Sequence, residues 1–249
     1  MLRSFNIEVA EQIIEINALF SRMYNISRDY ITTKKEKPII SLQCTIQDYD
    51  KAAAKYEAEY KRMAPCDVYL EEYALLEMVS DILIEYDTLL MHGAAVCYGD
   101  GAFLFTGKSG VGKTTHALKW TENLADAYII NGDKPYIRIF EDKESPMIYG
   151  SPWRGKEGYG INTKSPLKAI VYLIQSENNM IRQVPISEAF SFLYQQVYRP
   201  SSVEKMRKTL RLIKLLDEKV GFYVFNVNNF KDDCFQTVYN TLLGGIREE

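Results

Sequence analysis

The stretch whose reading decides the fold is GKSGVGKTTHALKW, Gly107 to Trp120. Gly107, Gly112, Lys113 and Thr114 stand in the defining places of the pattern G-x-x-x-x-G-K-[ST], a loop that cradles phosphate groups. Its glycines permit backbone conformations and a close approach that side chains would block. The N–H groups of Lys108, Ser109, Gly110 and Val111 can then point at phosphate oxygens. Lys113 supplies a mobile charge for the β and γ phosphates and Thr114 a hydroxyl for Mg²⁺. The helix that opens here, through Thr115, adds the positive end of its dipole. AFLFT, Ala102 to Thr106, reads as a strand running straight into the loop, which is the context this chemistry needs. The expected ligands are a nucleoside triphosphate and Mg²⁺, with a glycine-rich turn that holds no nucleotide as the structural alternative; where the terminal phosphate goes is left open by these residues.

Working outward, LLMHGAAVCY (Leu89 to Tyr98) and AFLFT flank Gly99-Asp100-Gly101, a hairpin turn. With Tyr98 opposite Ala102, paired positions sum to 200 and His92 faces Lys108; a two-residue turn is expected to move its partner to Ser109. Either register carries His92 to the side of the glycine loop, where it touches phosphate or substrate or, as the structural alternative, is hydrogen-bonded in the core or at a strand end. Downstream, the apolar strand AYIIN (Ala127 to Asn131) runs into Gly132-Asp133-Lys134, so Asp133 stands at a carboxyl strand end, where α/β sheets hold ligand groups. There it can join Thr114 on the metal or accept the proton of an attacking hydroxyl. A solvated turn aspartate is the structural alternative. SPWRGKEGYG, Ser151 to Gly160, gathers three glycines, two cations and two aromatics directly after a strand. As a functional loop it offers Arg154 and Lys156 to phosphate; as a plain surface loop it is anchored by Trp153. His116, inside the helix, is expected to be structural.

The remaining pattern supports an α/β fold with a mixed sheet. YIRIF (Tyr136 to Phe140) and MIYG (Met147 to Gly150) bracket the polar turn EDKES as a second hairpin, and KAIVYLIQ (Lys168 to Gln175) is a buried strand. Helices follow, one opened by Ser187-Glu188 and one from Val203 to Lys219; then come the strand GFYVFNV (Gly221 to Val227) and the helix FQTVYNTLL (Phe235 to Leu243). A break at Ala64-Pro65-Cys66 sets off residues 1–65, read as a smaller α+β region, from a nucleotide-binding domain over 66–249. In the former, Phe5, Ile7 and Val9 alternate as a strand, as do Ile39, Ser41, Gln43 and Thr45, and KAAAKYEAEYKRM (Lys51 to Met63) is a polar surface helix. Just past the break, Leu75, Leu76, Val79, Ile82, Leu83 and Tyr86 recur at helical spacing.

A formal charge of −3 speaks against a basic nucleic-acid binder. MLRSFNIEVAEQIIEI is interrupted by glutamates and reads as no signal peptide, and no apolar run approaches membrane-spanning length. Cys44, Cys66, Cys97 and Cys234 are widely spaced, form no CxxC pair and are expected to be reduced thiols. A cytoplasmic chain without membrane or nucleic-acid partners is expected. Lys205, Arg207, Lys208 and Arg211 are expected to face solvent, with a partner or a neighbouring subunit of a homo-oligomer as the alternatives.

MHGAAV, GDGAFLFTGKSGVGKTTHALKW and IINGDKP, in that order, resemble the core of the HPr kinase/phosphorylase family and its kinase-like relatives, over roughly residues 87–175. The likeness is to HPr-kinase-related proteins with a Thr-His-x-x-x-Trp helix start and a Pro-Trp-x-Gly-Lys loop. It implies a nucleotide domain like that of phosphoenolpyruvate carboxykinase. It also implies ATP- and Mg²⁺-dependent transfer to a serine, or threonine, hydroxyl of a protein or peptide. On that resemblance Lys113 and Thr114 hold nucleotide and metal, Asp133 is the base and His92 contacts the reacting phosphate. The family ends its acid strand with Asp-Asp where this chain has Gly132-Asp133. Its Glu-x-Arg-Gly-x-Gly signature is replaced by WRGKEGYG, with Arg154 and Gly155 in a comparable region. HPr as acceptor and the reverse phosphorylase reaction therefore lie outside what the resemblance implies. The missing carboxylate keeps open another class, an ATP-binding regulator or scaffold without phosphotransfer. Transfer to a keto acid would need a further Lys/His metal set, and the chain has only two histidines. Residues 1–65 are the candidate for recognising the acceptor.

Overall fold

Two short runs of alternating apolar residues, Phe5-Ile7-Val9 and Ile14-Ile16-Ala18, stand near one another in the sequence. In the computed structural model, which describes residues 3–142 and 144–244, they form an antiparallel hairpin. Its strands are β1 (Arg3–Val9) and β2 (Gln12–Ala18), with Ile7, Ile14 and Ile16 fully buried. The turn residues Ala10 and Glu11 both have left-handed φ, 48° and 65°. That is the geometry of a type I′ turn, usually given to Asn-Gly. Neither residue signals a turn, which is why β2 escapes a reading of the sequence. A third strand, β3 (Ile40–Leu42), lies parallel to β2. The helices of this part are α1 (Ser21–Ile26), α2 (Ile46–Tyr60) and α3 (Asp67–Leu83). Thr45, expected at the end of a strand, instead caps α2: its hydroxyl accepts from the Asp48 N–H while the Asp48 carboxylate accepts from the Thr45 N–H.

The chain divides into two compact units, Met1–Tyr86 and Asp87–Glu249. The break at Pro65 therefore lies inside the first unit, and α3 belongs there rather than to the domain after it. The physical reason is in α3 itself. Its buried Glu71 accepts hydrogen bonds from the backbone N–H groups of Leu19 and Phe20, at 2.6 and 3.0 Å, and Leu70 and Ala74 pack with Ala52 of α2.

In the second unit the run 89–98, expected as one strand, is split. β4 (Thr88–Leu90) pairs with β8 (Tyr136–Arg138), whereas β5 (Gly93–Tyr98) pairs with β6 (Gly101–Gly107) and β7 (Tyr128–Asn131). α4 (Lys113–Asn123) connects β6 to β7, and β8 forms the expected hairpin with β9 (Met147–Tyr149). Lys143 of the EDKES turn lies outside the described residues. β10 (Lys164–Gln175) starts earlier than its apolar run. Its first residues pair with β9, and it moves to β6 just after Pro166, a residue with no N–H for a continuous ladder. β11 (Met180–Gln183), α5 (Ile186–Gln196), α6 (Val203–Asp217), β12 (Gly221–Val227) and α7 (Cys234–Leu243) complete the unit. β11 is a mostly exposed edge strand with no apolar alternation, and sequence pattern does not reveal it.

Among the described residues the resulting mixed sheet has nine strands, in the order β4-β8-β9-β10-β6-β5-β7 with β12 also on β10 and β11 on β12. β10 is parallel to both β6 and β12. Alternate residues of the central strands feed two cores, because successive side chains point to opposite faces. Leu104 and Ile170 meet Leu193, Leu212 and Leu216 of α5 and α6 on one face. Phe103, Phe105 and Val171 meet Ala117, Trp120 and Val238 of α4 and α7 on the other. No helix among the described residues is long and apolar enough to cross a membrane.

Candidate functional site

β6 and β7 are both antiparallel to β5, so they run the same way and end at one edge of the sheet. The glycine loop leaves β6 there. Gly107, Gly110 and Gly112 have φ of 146°, 80° and 97°, a region that side chains disfavour. A Cβ on Gly107 would stand 2.8 Å from the Leu173 carbonyl oxygen, and one on Gly112 2.2 Å from Asn229 Nδ2. Lys113, 8% exposed, folds back to donate from Nζ to the carbonyls of Gly107 and Lys108, at 3.1 and 3.2 Å. Burial brings its ammonium down to about 8, against the opposing pull of Asp133. Lys108, Ser109, Gly110 and Thr115 are exposed, and Val111 is buried.

Thr114 ties this loop to the end of β7, its hydroxyl donating to the Gly132 carbonyl at 3.3 Å. The next residue, Asp133, meets His92: imidazole Nε2 and carboxylate Oδ1 are 3.3 Å apart, with side chains 27% and 33% exposed. Lys134 Nζ lies 3.6 Å from the same oxygen. The hairpin register behind this contact differs from expectation. Tyr98 faces Gly101 across the two-residue turn Gly99-Asp100, and Gly93 faces Thr106. Paired positions thus sum to 199, which shifts His92 toward Gly107, not toward Lys108 or Ser109. The Thr106 hydroxyl donates to the His92 carbonyl at 2.7 Å, and the Gly93 N–H donates to the Asp133 carbonyl at 2.9 Å.

Burial holds the His92 imidazole below its ordinary value, against the pull of its hydrogen bond to Asp133, so it is neutral at pH 7. For Asp133 burial opposes ionisation, but the His92 hydrogen bond and the charges of Lys134 and Lys113 outweigh it and hold the carboxyl below the usual aspartate value. The pair is an ionised carboxylate receiving a hydrogen bond from a neutral ring.

Two residues that sequence reading missed aim Asp133. Asn131, fully buried, accepts at Oδ1 from the N–H groups of Asp133 and Lys134, at 2.9 and 2.7 Å. Its amide donates to Ser151 Oγ and the Ser151 carbonyl, and the Ser151 hydroxyl donates to the Lys134 carbonyl at 2.7 Å. The available signal was a polar residue closing an apolar strand, since a buried amide must find partners.

The second glycine loop closes over the same strand end. The Gly132 N–H donates to the Tyr159 carbonyl at 2.9 Å, and Ile161 N–H to Ile130 at 3.1 Å. Gly155, at φ 76°, passes so close that a Cβ would stand 3.0 Å from that of Asp133. Arg154 donates from Nη1 to the Gly160 carbonyl at 3.1 Å, and Trp153 is buried as the anchor. Lys156 is exposed at the loop tip. His116 lies elsewhere, fully buried between Phe105 and Phe225 at ring-centroid distances of 4.5 and 5.4 Å.

The glycine cradle, the buried cation and the helix start fit a chain of phosphates. Among the described residues no three His, Cys, Asp or Glu side chains converge as a metal cage. One hydroxyl with one carboxylate suits Mg²⁺, which keeps waters and takes phosphate oxygens.

No family model matches the sequence, and no curated protein matches it. Among solved structures the chain is similar to the HPr(Ser) kinase/phosphatase from Coxiella burnetii, with a TM-score of 0.38 and 11% identity. The match covers 63% of this chain and 92% of that one, and the likeness is distant.

Proposed function

We propose that the chain is an ATP- and Mg²⁺-dependent kinase that transfers the γ-phosphate to a serine or threonine hydroxyl of a protein or peptide. The observation that carries this reading is the meeting of Thr114 and the Asp133–His92 pair at one strand end beside the buried Lys113. Bound Mg·ATP supplies the phosphoryl group and the metal's stabilisation of its charge. Lys113 neutralises phosphate charge and Thr114 offers its hydroxyl to the metal. The Asp133 carboxylate takes the proton as the acceptor oxygen bonds to phosphorus and the bond to ADP breaks. His92, neutral and donating to Asp133, keeps that carboxylate aimed, and Arg154 and Lys156 stand on the loop that would cover the transfer.

The test is incubation with γ-labelled ATP, Mg²⁺ and a cell lysate, with the labelled species read by mass. A labelled protein or peptide is expected, and Asp133→Asn should lower its formation about 10²–10⁴-fold while ATP still binds. Undiminished transfer by that variant would remove Asp133 from the role. Label in inorganic phosphate alone would favour a second reading, a nucleotide-responsive regulator. One observation speaks for it: Gly132 stands where the family pattern has a second acid. A Cβ there would lie 3.3 Å from the Tyr159 carbonyl oxygen, so a side chain in that place would press on the second loop.

A further inference from the structure

The loop 228–233, between β12 and α7, is held in place by more bonds than its length suggests. Asn228 donates from its N–H to Asn179 Oδ1 at 2.6 Å and from Nδ2 to the Glu177 carbonyl at 3.2 Å. Lys231 Nζ donates to Asn178 Oδ1 at 2.6 Å, and Asn179 Nδ2 to Asp233 Oδ1 at 2.6 Å. Within the loop, the Phe230 N–H donates to Asn228 Oδ1 at 3.1 Å. These bonds fix the backbone of Phe230, yet its side chain is 99% exposed. Lone exposed apolar residues are common, so the position of this one has to decide.

β12 is parallel to β10 and β10 to β6, so this loop leaves the same edge of the sheet as the glycine loop. In the order β7-β5-β6-β10-β12 the glycine loop stands in the middle, Asp133 two strands to one side and Phe230 two strands to the other. Asn229, next to Phe230, touches the glycine loop at Gly112, and its Oδ1 receives the Cys234 thiol at 3.5 Å. A triphosphate whose terminal phosphate lies toward Thr114 and Asp133 sends its base the other way. We propose that Phe230 is the platform on which the nucleobase of the bound nucleotide stacks, with Asn229 holding that platform against the glycine loop. An aromatic face accepts any base, so the platform adds affinity for a nucleoside triphosphate over bare phosphates rather than choosing among bases. The inference rests on the nucleotide reading of the glycine loop.

Calorimetric titration of the full chain in Mg²⁺, with ATP and separately with inorganic tripolyphosphate, tests it. Phe230→Ala should weaken ATP about 5- to 150-fold, the span of one base–aromatic stack, and leave tripolyphosphate within about twofold. Phe230→Tyr should bind ATP as the parent does. Because the ring is fully exposed, both variants should melt at the parent's temperature. If Phe230→Ala binds ATP unchanged, or loses ATP and tripolyphosphate equally, the platform is refuted while the phosphate site stands. If the parent chain binds neither ligand, the nucleotide reading fails and takes the platform with it.

Discussion

The chain's two histidines sit some 24 residues apart on either side of the glycine loop and live in opposite surroundings. His92 lies in a gap between two strands, partly open to water, with a carboxylate on one side and two lysines nearby. His116 is one turn into α4, sealed among Phe105, Phe225 and Cys234, whose Sγ is 3.4 Å from Nδ1. Both rings are held below their ordinary pKa by burial, His116 down to about 3. The consequence differs because the partners differ. At His92 a neutral ring leaves the Asp133 carboxylate ionised beside the glycine loop. At His116 it lets a polar side chain pack as an aromatic, under the helix that carries Lys113 and Thr114.

That contrast breaks most sharply under truncation. His116→Ala should open a cavity beneath α4 and cost about 2–4 kcal/mol, in the range of large-to-small core changes. Trp120 and Trp153, the only tryptophans, both belong to the second unit, so the urea midpoint read by tryptophan fluorescence reports on that unit. A loss below about 0.5 kcal/mol would mean that the pocket is not a packed core. Next in size is Asn131→Ala on the other side of the comparison. It strips the acceptor from two N–H groups, at about 1–3 kcal/mol, and frees Asp133 from its aim. For the kinase proposed above, phosphoryl transfer should fall about 10- to 100-fold with ATP affinity nearly kept; equal loss of both would assign Asn131 to folding alone.

The smallest effect is in pH. In the unfolded chain His116 takes up a proton near 6.5, whereas the folded chain resists it down to about 3. Between those values the unfolded state binds more protons, so this contribution to stability is complete above 6.5 and drains away as pH falls. From pH 7.5 to 6 it amounts to about 0.8 kcal/mol. His116→Leu should flatten the slope of the urea midpoint over that interval by this amount, and an unchanged slope would contradict the assignment.

How much of this was legible in the sequence varies with how local its cause is. The glycine loop and its helix were readable, because glycine φ freedom, strand before and helix after are all encoded within neighbours. The cap at Thr45 and the turn at Ala10-Glu11 were not. A capping box sat inside what looked like strand alternation, and the turn carries no glycine, asparagine or aspartate to announce it. His92 was expected opposite Lys108 or Ser109, and its register was off, since a single turn residue moves every pair beyond it. Asn131 and Ser151 looked like ordinary strand-end polar residues until burial made their hydrogen bonds obligatory.

By itself, then, the sequence determined a glycine-rich turn between a strand and a helix, an acid at the end of another strand, and an α/β alternation around them. These follow from backbone preferences and side-chain periodicity over a few residues. Only the tertiary structure decided that β5 lies between β6 and β7. With Ala95 opposite Asn131 in an antiparallel pair, the start of β5 must meet the end of β7, and His92 thereby reaches Asp133. Strand order is set by which apolar faces bury one another across the whole unit. No short stretch, not even the glycine loop, carries that information.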